Sequence, residues 1–148
     1  MNDIIIEKMT RAHLDDVYEI EKHSFAIPWT LESLRKDLTK NERAYYYIAS
    51  HGSRVIGYAG MWHIVNEGHI NNIAVDENYR RLGAASKLID RLIDTCAELE
   101  IIALTLEVRV GNRAAMGLYH KYGFIVEGIR KNYYADTKED AIIMWKYL

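Results

Sequence analysis

The spacing of apolar residues changes repeatedly along the chain, and each change marks an element. Ile4, Ile5 and Ile6 form a short β-branched run that predicts an edge strand. From Thr10, a candidate N-cap, the spacing lengthens to that of a helix, with Leu14, Val17, Tyr18 and Glu21 marking its turns and Asp15 and Asp16 near its positive end. Residues 25–29 break the pattern: they hold the only proline, Pro28, and three large apolar groups, Phe25, Ile27 and Trp29. Thr30 is placed to cap a second helix, with Leu31, Leu34 and Leu38 on one face and Glu32, Arg35 and Lys36 outside, ended by residues 41–43. Two strand-like runs follow at 45–49 and 55–65, joined by a turn at 51–53. A second turn at 66–68 leads into 69–75, and the three runs predict an antiparallel meander.

The helical period returns after residue 84. Ala85, Leu88, Ile89, Leu92, Ile93, Cys96 and Leu99 share one stripe, opposite Lys87, Asp90, Arg91, Asp94 and Glu98. A strand at 101–108 follows, and a strand-helix-strand crossover predicts that it runs parallel to 70–75. Residues 112–122 read as another helix stopped by Gly123, and 124–133 with 140–147 as a closing hairpin. The expected fold is α/β of the α+β kind: one mixed seven-stranded sheet with about four helices, in a single domain over residues 1–148.

Composition narrows the function. A formal charge of −2 leaves no basic stripe for nucleic acid, so none is expected as a partner. The lone cysteine, Cys96, lies on an apolar stripe and reads as core. No stretch approaches the ~18 apolar residues of a membrane span, and Met1-Asn2-Asp3 lacks a basic region followed by an apolar segment. A cytoplasmic protein without a membrane partner is therefore expected. His63 and His69 could face each other across the second turn, but no third ligand has zinc-like spacing, so they read as a surface pair and no metal is expected.

The candidate chemistry begins where the strand at 70–75 hands over to the long helix. Arg80, Arg81, Leu82, Gly83, Ala84, Ala85 and Ser86 lie at that joint, where free N–H groups and the positive helix end meet. Small residues there would let a phosphate approach the main chain, although such joints also occur without a ligand. Glu107 interrupts the apolar run at 104–108 and falls on the face opposite Leu104, Leu106 and Val108. A carboxylate there is either a salt bridge, with Arg109 as partner, or a base. Tyr119 follows on a helix close enough to share a pocket with it. Tyr119 can be core or a proton donor, and Tyr133 and Tyr134 can be plain strand ends or part of a groove.

Arg80, Gly83 and Ala85 resemble the acetyl-CoA-binding motif of the GCN5-related N-acetyltransferase (GNAT) superfamily: Arg or Gln, two residues, Gly, one residue, then Gly or Ala. The likeness is strongest to its RimI-type enzymes, which acetylate the N-terminal alanine of a ribosomal protein. It covers nearly the whole chain, through Phe25 to Trp29, Asn72-Ile73-Ala74-Val75-Asp76, Leu106-Glu107-Val108-Arg109 with Asn112, Leu118-Tyr119, Tyr122-Gly123-Phe124 and Arg130-Lys131-Asn132-Tyr133-Tyr134. Many relatives carry Gly where Ala85 stands, and the extra methyl could tighten the cradle.

The resemblance implies acetyl-CoA as co-substrate and a sheet whose two central parallel strands splay to admit it. It assigns Ile73, Ala74, Val75, residues 80–86 and Asn112 to the cofactor. Glu107 is implied as general base acting through water, and Tyr119 as the acid facing the CoA sulfur. Asn72, Phe25, Ile27, Pro28, Trp29, Tyr133 and Tyr134 are implied to bind the substrate, a protein N-terminus and ribosomal by analogy. A monomer, or at most a weak dimer, is expected. Two rivals stay open. One is a sister acetyltransferase for polyamines, antibiotic amines or lysine side chains; the other is a non-catalytic acetyl-CoA sensor.

Overall fold

The computed structural model describes residues 3–25 and 28–148. Seven strands form one sheet: β1 (Ile4–Lys8), β2 (Ala44–His51), β3 (Arg54–Ile64), β4 (Glu67–Val75), β5 (Ala103–Arg109), β6 (Ile125–Arg130) and β7 (Ala141–Tyr147). The helices are α1 (Leu14–Ser24), α2 (Leu31–Lys40), α3 (Ala84–Glu98) and α4 (Arg113–Lys121), with short 3-10 turns at Arg11–His13 and Glu77–Tyr79. The spatial order is β1-β2-β3-β4-β5-β7-β6, so the Ile4–Ile6 run is the edge that its length predicts. Every pairing is antiparallel except β4 with β5.

Alternation along the strands divides the core in two. Leu104, Leu106 and Val108 of β5 pack with Leu88, Ile89 and Leu92 of α3 and with Tyr119 of α4 on one face. Tyr46, Ile48, Tyr58 and Ala74 face the other way, toward Leu14, Val17 and Ile20 of α1 and Leu34 of α2. The α2 stripe is narrower than its spacing suggests, since Leu34 is buried while Leu31 is exposed. Cys96 is buried within the α3 stripe, and burial pushes its thiol up to about 11.

Two departures from the sequence pattern shape the site. The turn between β3 and β4 lies at Val65 and Asn66, not at 66–68, and Val65 is held there at φ 55. Trp62 consequently pairs with His69 and His63 with Gly68, which puts His63 and His69 on opposite faces, so they do not form a pair.

The second departure opens the sheet. β4 and β5 pair only where Glu67, Gly68 and His69 lie beside Ala103, Leu104 and Thr105, below the stretch expected to run alongside β5. Register against β3 jumps between Gly60 and Met61, leaving Asn71 as an extra residue that bends β4. Gly60 is required at this bulge, because a methyl group on it would run into the Tyr46 ring. Beyond His69, β4 stays with β3 while β5 stays with β7 up to Arg109, and the two central strands diverge.

Candidate active site

A cavity of about 390 Å³ lies on the α3 side of the opening, lined by Ile73, Ala74 and Val75, by Arg80, Arg81 and Gly83 to Ser86, and by Asn112, Leu118 and Tyr119. Gly83 is the N-cap of α3 at φ 85, and Arg81 stands at φ 68. A Cβ at Gly83 would meet no protein atom within 4 Å, so within the chain itself glycine serves the left-handed backbone here. The first N–H groups of α3 have no carbonyl within the helix to bond and collect at the cavity beside two guanidinium groups. That is a fit for a pyrophosphate. Ala84 is buried in the core beneath, whereas Leu82 is half exposed and lies outside the cavity wall. Asn112 caps α4, its side chain accepting from the Ala115 N–H at 3.2 Å.

A second cavity, of about 290 Å³, lies across the sheet, where Asn71, Asn72, Glu107, Arg109 and Tyr134 face Phe25 and Ser24. It shares Ser24, Phe25, Ile73, Asn112, Ala115 and Tyr119 with the first cavity, so the two meet where β4 and β5 part. A wider groove of about 800 Å³ continues from Glu107 and Tyr134 past Trp29, His69, Arg130, Tyr133 and Trp145. Phe25 and Trp29 thus stand at different points along one passage. Pro28 stiffens the loop without lining any of the three cavities, and Ile27 lies outside the described residues.

Glu107 is not paired with Arg109. The Arg109 guanidinium takes Asp136 through both arms, at 2.9 and 3.1 Å, and lies 4.0 Å from the Tyr134 ring centroid. Register explains the change of partner: Glu107 is opposite Ile143 of β7 and Arg109 opposite Ala141, next to the acidic 136–140 connection. Glu107 has only a loose contact at 3.4 Å with Arg130, whose side chain is 57% exposed, so the pair adds little to stability and leaves the carboxylate available.

Tyr119 is buried against Phe124, with ring centroids 5.7 Å apart, and burial, reinforced by Tyr134, pushes its phenol up to about 12. Burial and the nearby Glu107 carboxylate also raise Tyr134. Tyr133 stacks edge-on against Tyr134 at 5.2 Å but is itself half exposed, at the mouth of the groove. Both lie in the connection between β6 and β7, past the end of the strand expected to contain Tyr133.

Sequence reasoning missed Asn71, Ser24, His69 and Trp145 as wall residues. It also took Glu21 for an ordinary turn of α1, though a charged residue on an apolar stripe was the available signal. Among the described residues no group of three or more His, Cys, Asp or Glu gathers as a metal site, and no helix is long and apolar enough to cross a membrane.

A helix-start cavity that fits a pyrophosphate and a half-exposed carboxylate meet where one sheet splays, the layout of a group-transfer enzyme. The sequence profile of the Acetyltransferase (GNAT) family matches residues 14–124, and the chain belongs to that family of N-acetyltransferases, which use acetyl-CoA. A Bacillus subtilis protein, assigned by name to alanine N-acetylation of ribosomal protein bS18, is 41% identical over 140 residues, covering 95% of this chain and 93% of its own. The crystal structure of the Escherichia coli ribosomal-protein-S18-alanine N-acetyltransferase superposes with a TM-score of 0.90 at 33% identity, over 98% of this chain and 94% of that one. The NatC complex, solved with a Gag peptide and CoA, contains a chain matching at TM-score 0.86 and 25% identity over 99% of both.

Proposed function

We propose that this acetyltransferase modifies the α-amine of a protein N-terminus, an N-terminal alanine of a small-subunit ribosomal protein, and acts as a cytoplasmic monomer. The observation that carries this reading is the continuous passage through the sheet. The cradle side reaches Tyr119, the acceptor side reaches Glu107, and the acceptor side runs on into a wider groove of about 800 Å³ walled by Trp29, Tyr133 and Trp145. A small amine would not need that groove.

In this reading the N–H groups at the start of α3, with Arg80 and Arg81, hold the pyrophosphate of acetyl-CoA, and the free edge of β4 at Ile73 to Val75 holds its pantetheine arm. Phe25, Trp29, Asn72, Tyr133 and Tyr134 enclose the peptide end. Glu107 takes a proton through water from an ammonium whose pKa is roughly 8, leaving the amine lone pair free to attack the thioester carbon. As the carbon–sulfur bond breaks, Tyr119 faces the sulfur. Its phenol, raised to about 12, lies well above a thiol at roughly 8.5, so outright proton transfer to the thiolate would be uphill by ~5 kcal/mol. Tyr119 therefore stabilises the departing sulfur mainly by donating a hydrogen bond, a narrower role than full general acid.

The test is a comparison of acceptors with acetyl-CoA in excess. A short peptide beginning with alanine should be acetylated at least about tenfold faster than spermidine or an aminoglycoside at equal concentration. The reverse order would move the enzyme to small-amine acetylation.

A further inference from the structure

Glu21 is 1% exposed, in the last turns of α1, and nothing in the acyl-transfer scheme uses it. Its carboxylate is nevertheless fully engaged. Oε1 accepts from the Tyr58 hydroxyl and from Asn72 Nδ2 at 3.0 Å, and Oε2 accepts from the Trp29 backbone N–H at 2.8 Å. Asn72 Nδ2 also lies 3.1 Å from the Tyr58 oxygen. One buried charge therefore ties three pieces together: the loop carrying Trp29, the middle of β3, and β4 at the point where it has left β5. Apolar side chains of similar volume would fill this space at lower desolvation cost, so stability alone does not account for a carboxylate here.

The network also fixes the amide of Asn72. Nδ2 must face the carboxylate, because a carboxylate only accepts, and this leaves Oδ1 as the remaining acceptor. Oδ1 is the one buried side-chain polar atom among the described residues that has no hydrogen-bond partner. Asn72 itself is 5% exposed and lines the cavity that Glu107 faces from β5, but its Oδ1 is sealed from solvent, so an amine reaches it only when the side chains over it part. A buried acceptor without a partner is costly to keep, and a ligand that donates to it recovers the loss.

We propose that Glu21 is a positioning residue for the acceptor: by holding the Asn72 amide in one orientation and the Trp29 loop against it, it presents Asn72 Oδ1 to an N–H of the incoming amine. This rests on the reading of the Glu107 cavity as the acceptor pocket. A primary amine has the hydrogens for both contacts, one toward the water at Glu107 and one toward Asn72.

Glu21→Gln tests it with little change of shape. The glutamine amide brings its own N–H₂ into a pocket of donors, and the simplest relief is a flip of Asn72 that spends Oδ1 on Gln and turns N–H₂ toward the amine. Asn72→Ala deletes the acceptor and leaves the Tyr58 and Trp29 bonds to Glu21 intact. Both variants and the double variant are assayed with whichever amine the parent takes best. Each single variant should raise the acceptor KM by about tenfold or more, the loss of one hydrogen bond to a charged donor, with kcat at saturating acceptor and acetyl-CoA Kd unchanged. The double variant should be no worse than the more severe single one, since Glu21 acts through Asn72. Parental KM in Asn72→Ala would overturn the proposal, as would a Glu21→Gln enzyme with a lower melting temperature and unchanged KM. If Glu21→Gln does not fold, Asn72→Ala decides alone. A parent that ignores peptides would refute the function proposed above, while the variants would still decide the role of Glu21.

Discussion

Glu107 and Tyr119 come from different elements and opposite sides of the sheet, so their losses should be separable. Glu107→Gln removes basicity while keeping shape, and should lower kcat by ~10²–10⁴ at neutral pH without changing acetyl-CoA affinity. Raising the pH should restore part of that rate, because the peptide amine then loses its proton in solution. Tyr119→Phe should cost ~10²–10³, the loss of one hydrogen bond to a developing anion, and should not recover with pH. A pH-rate profile of the parent checks the same assignment from the other side. Burial holds the Tyr119 phenol protonated to about 12, so activity should rise through the amine pKa of roughly 8 and show no falling limb before about pH 11. A limb near pH 10 would mean an ordinary, solvated phenol. At this scale the sequence was legible where a charged residue broke an apolar run, as at Glu107. It was misleading about the partner, because Arg109 is two residues away along β5 while its ion pair is formed with Asp136 in a loop whose course no local pattern states.

The start of α3 carries a prediction of its own. Gly83 meets no protein atom and stands at φ 85, so Gly83→Ala acts on the fold through the backbone and should destabilise it by ~1–2 kcal/mol. It should also weaken acetyl-CoA binding, because the N–H groups at the cradle follow from that turn. Thermal unfolding with and without ligand reads both effects. The parent should gain about 2.7 kcal/mol at a hundred times the dissociation constant, and the variant less at the same concentration. An unmoved parental melting temperature would remove the cradle assignment. Elements with a long, regular period were readable from the chain, as α3 shows, since its stripe of Leu88, Ile89, Leu92 and Cys96 is the buried one. The turn at Val65 was not, because a β-branched apolar residue reads as strand and gives no sign that it will take φ 55. The bulge at Asn71 was equally silent. It depends on register against β3, which is set by pairing across strands and not by local composition.

Over the whole molecule, the helices are shared unequally between the faces of the sheet. Both α3 and α4 pack on the Leu104, Leu106 and Val108 side, whereas α1 and α2 pack over β2, β3 and the end of β4 on the other face. Glu107, His69, Ile143 and Trp145 are left lining an open groove. The parting of β4 from β5 joins that groove to the cofactor side, and neither periodicity nor composition could locate it; family resemblance supplied the expectation, and pairing confined to Glu67, Gly68 and His69 supplies the physical form. Delivery of a peptide's α-amine, and not of a side-chain amine, through this passage has one direct test. A peptide with a free N-terminal alanine and an internal lysine is incubated with enzyme and acetyl-CoA, and tandem mass spectrometry locates the acetyl group. It should sit on the alanine nitrogen, with no transfer when that nitrogen is blocked; acetyl on the lysine, undiminished by the block, would exclude delivery of the α-amine.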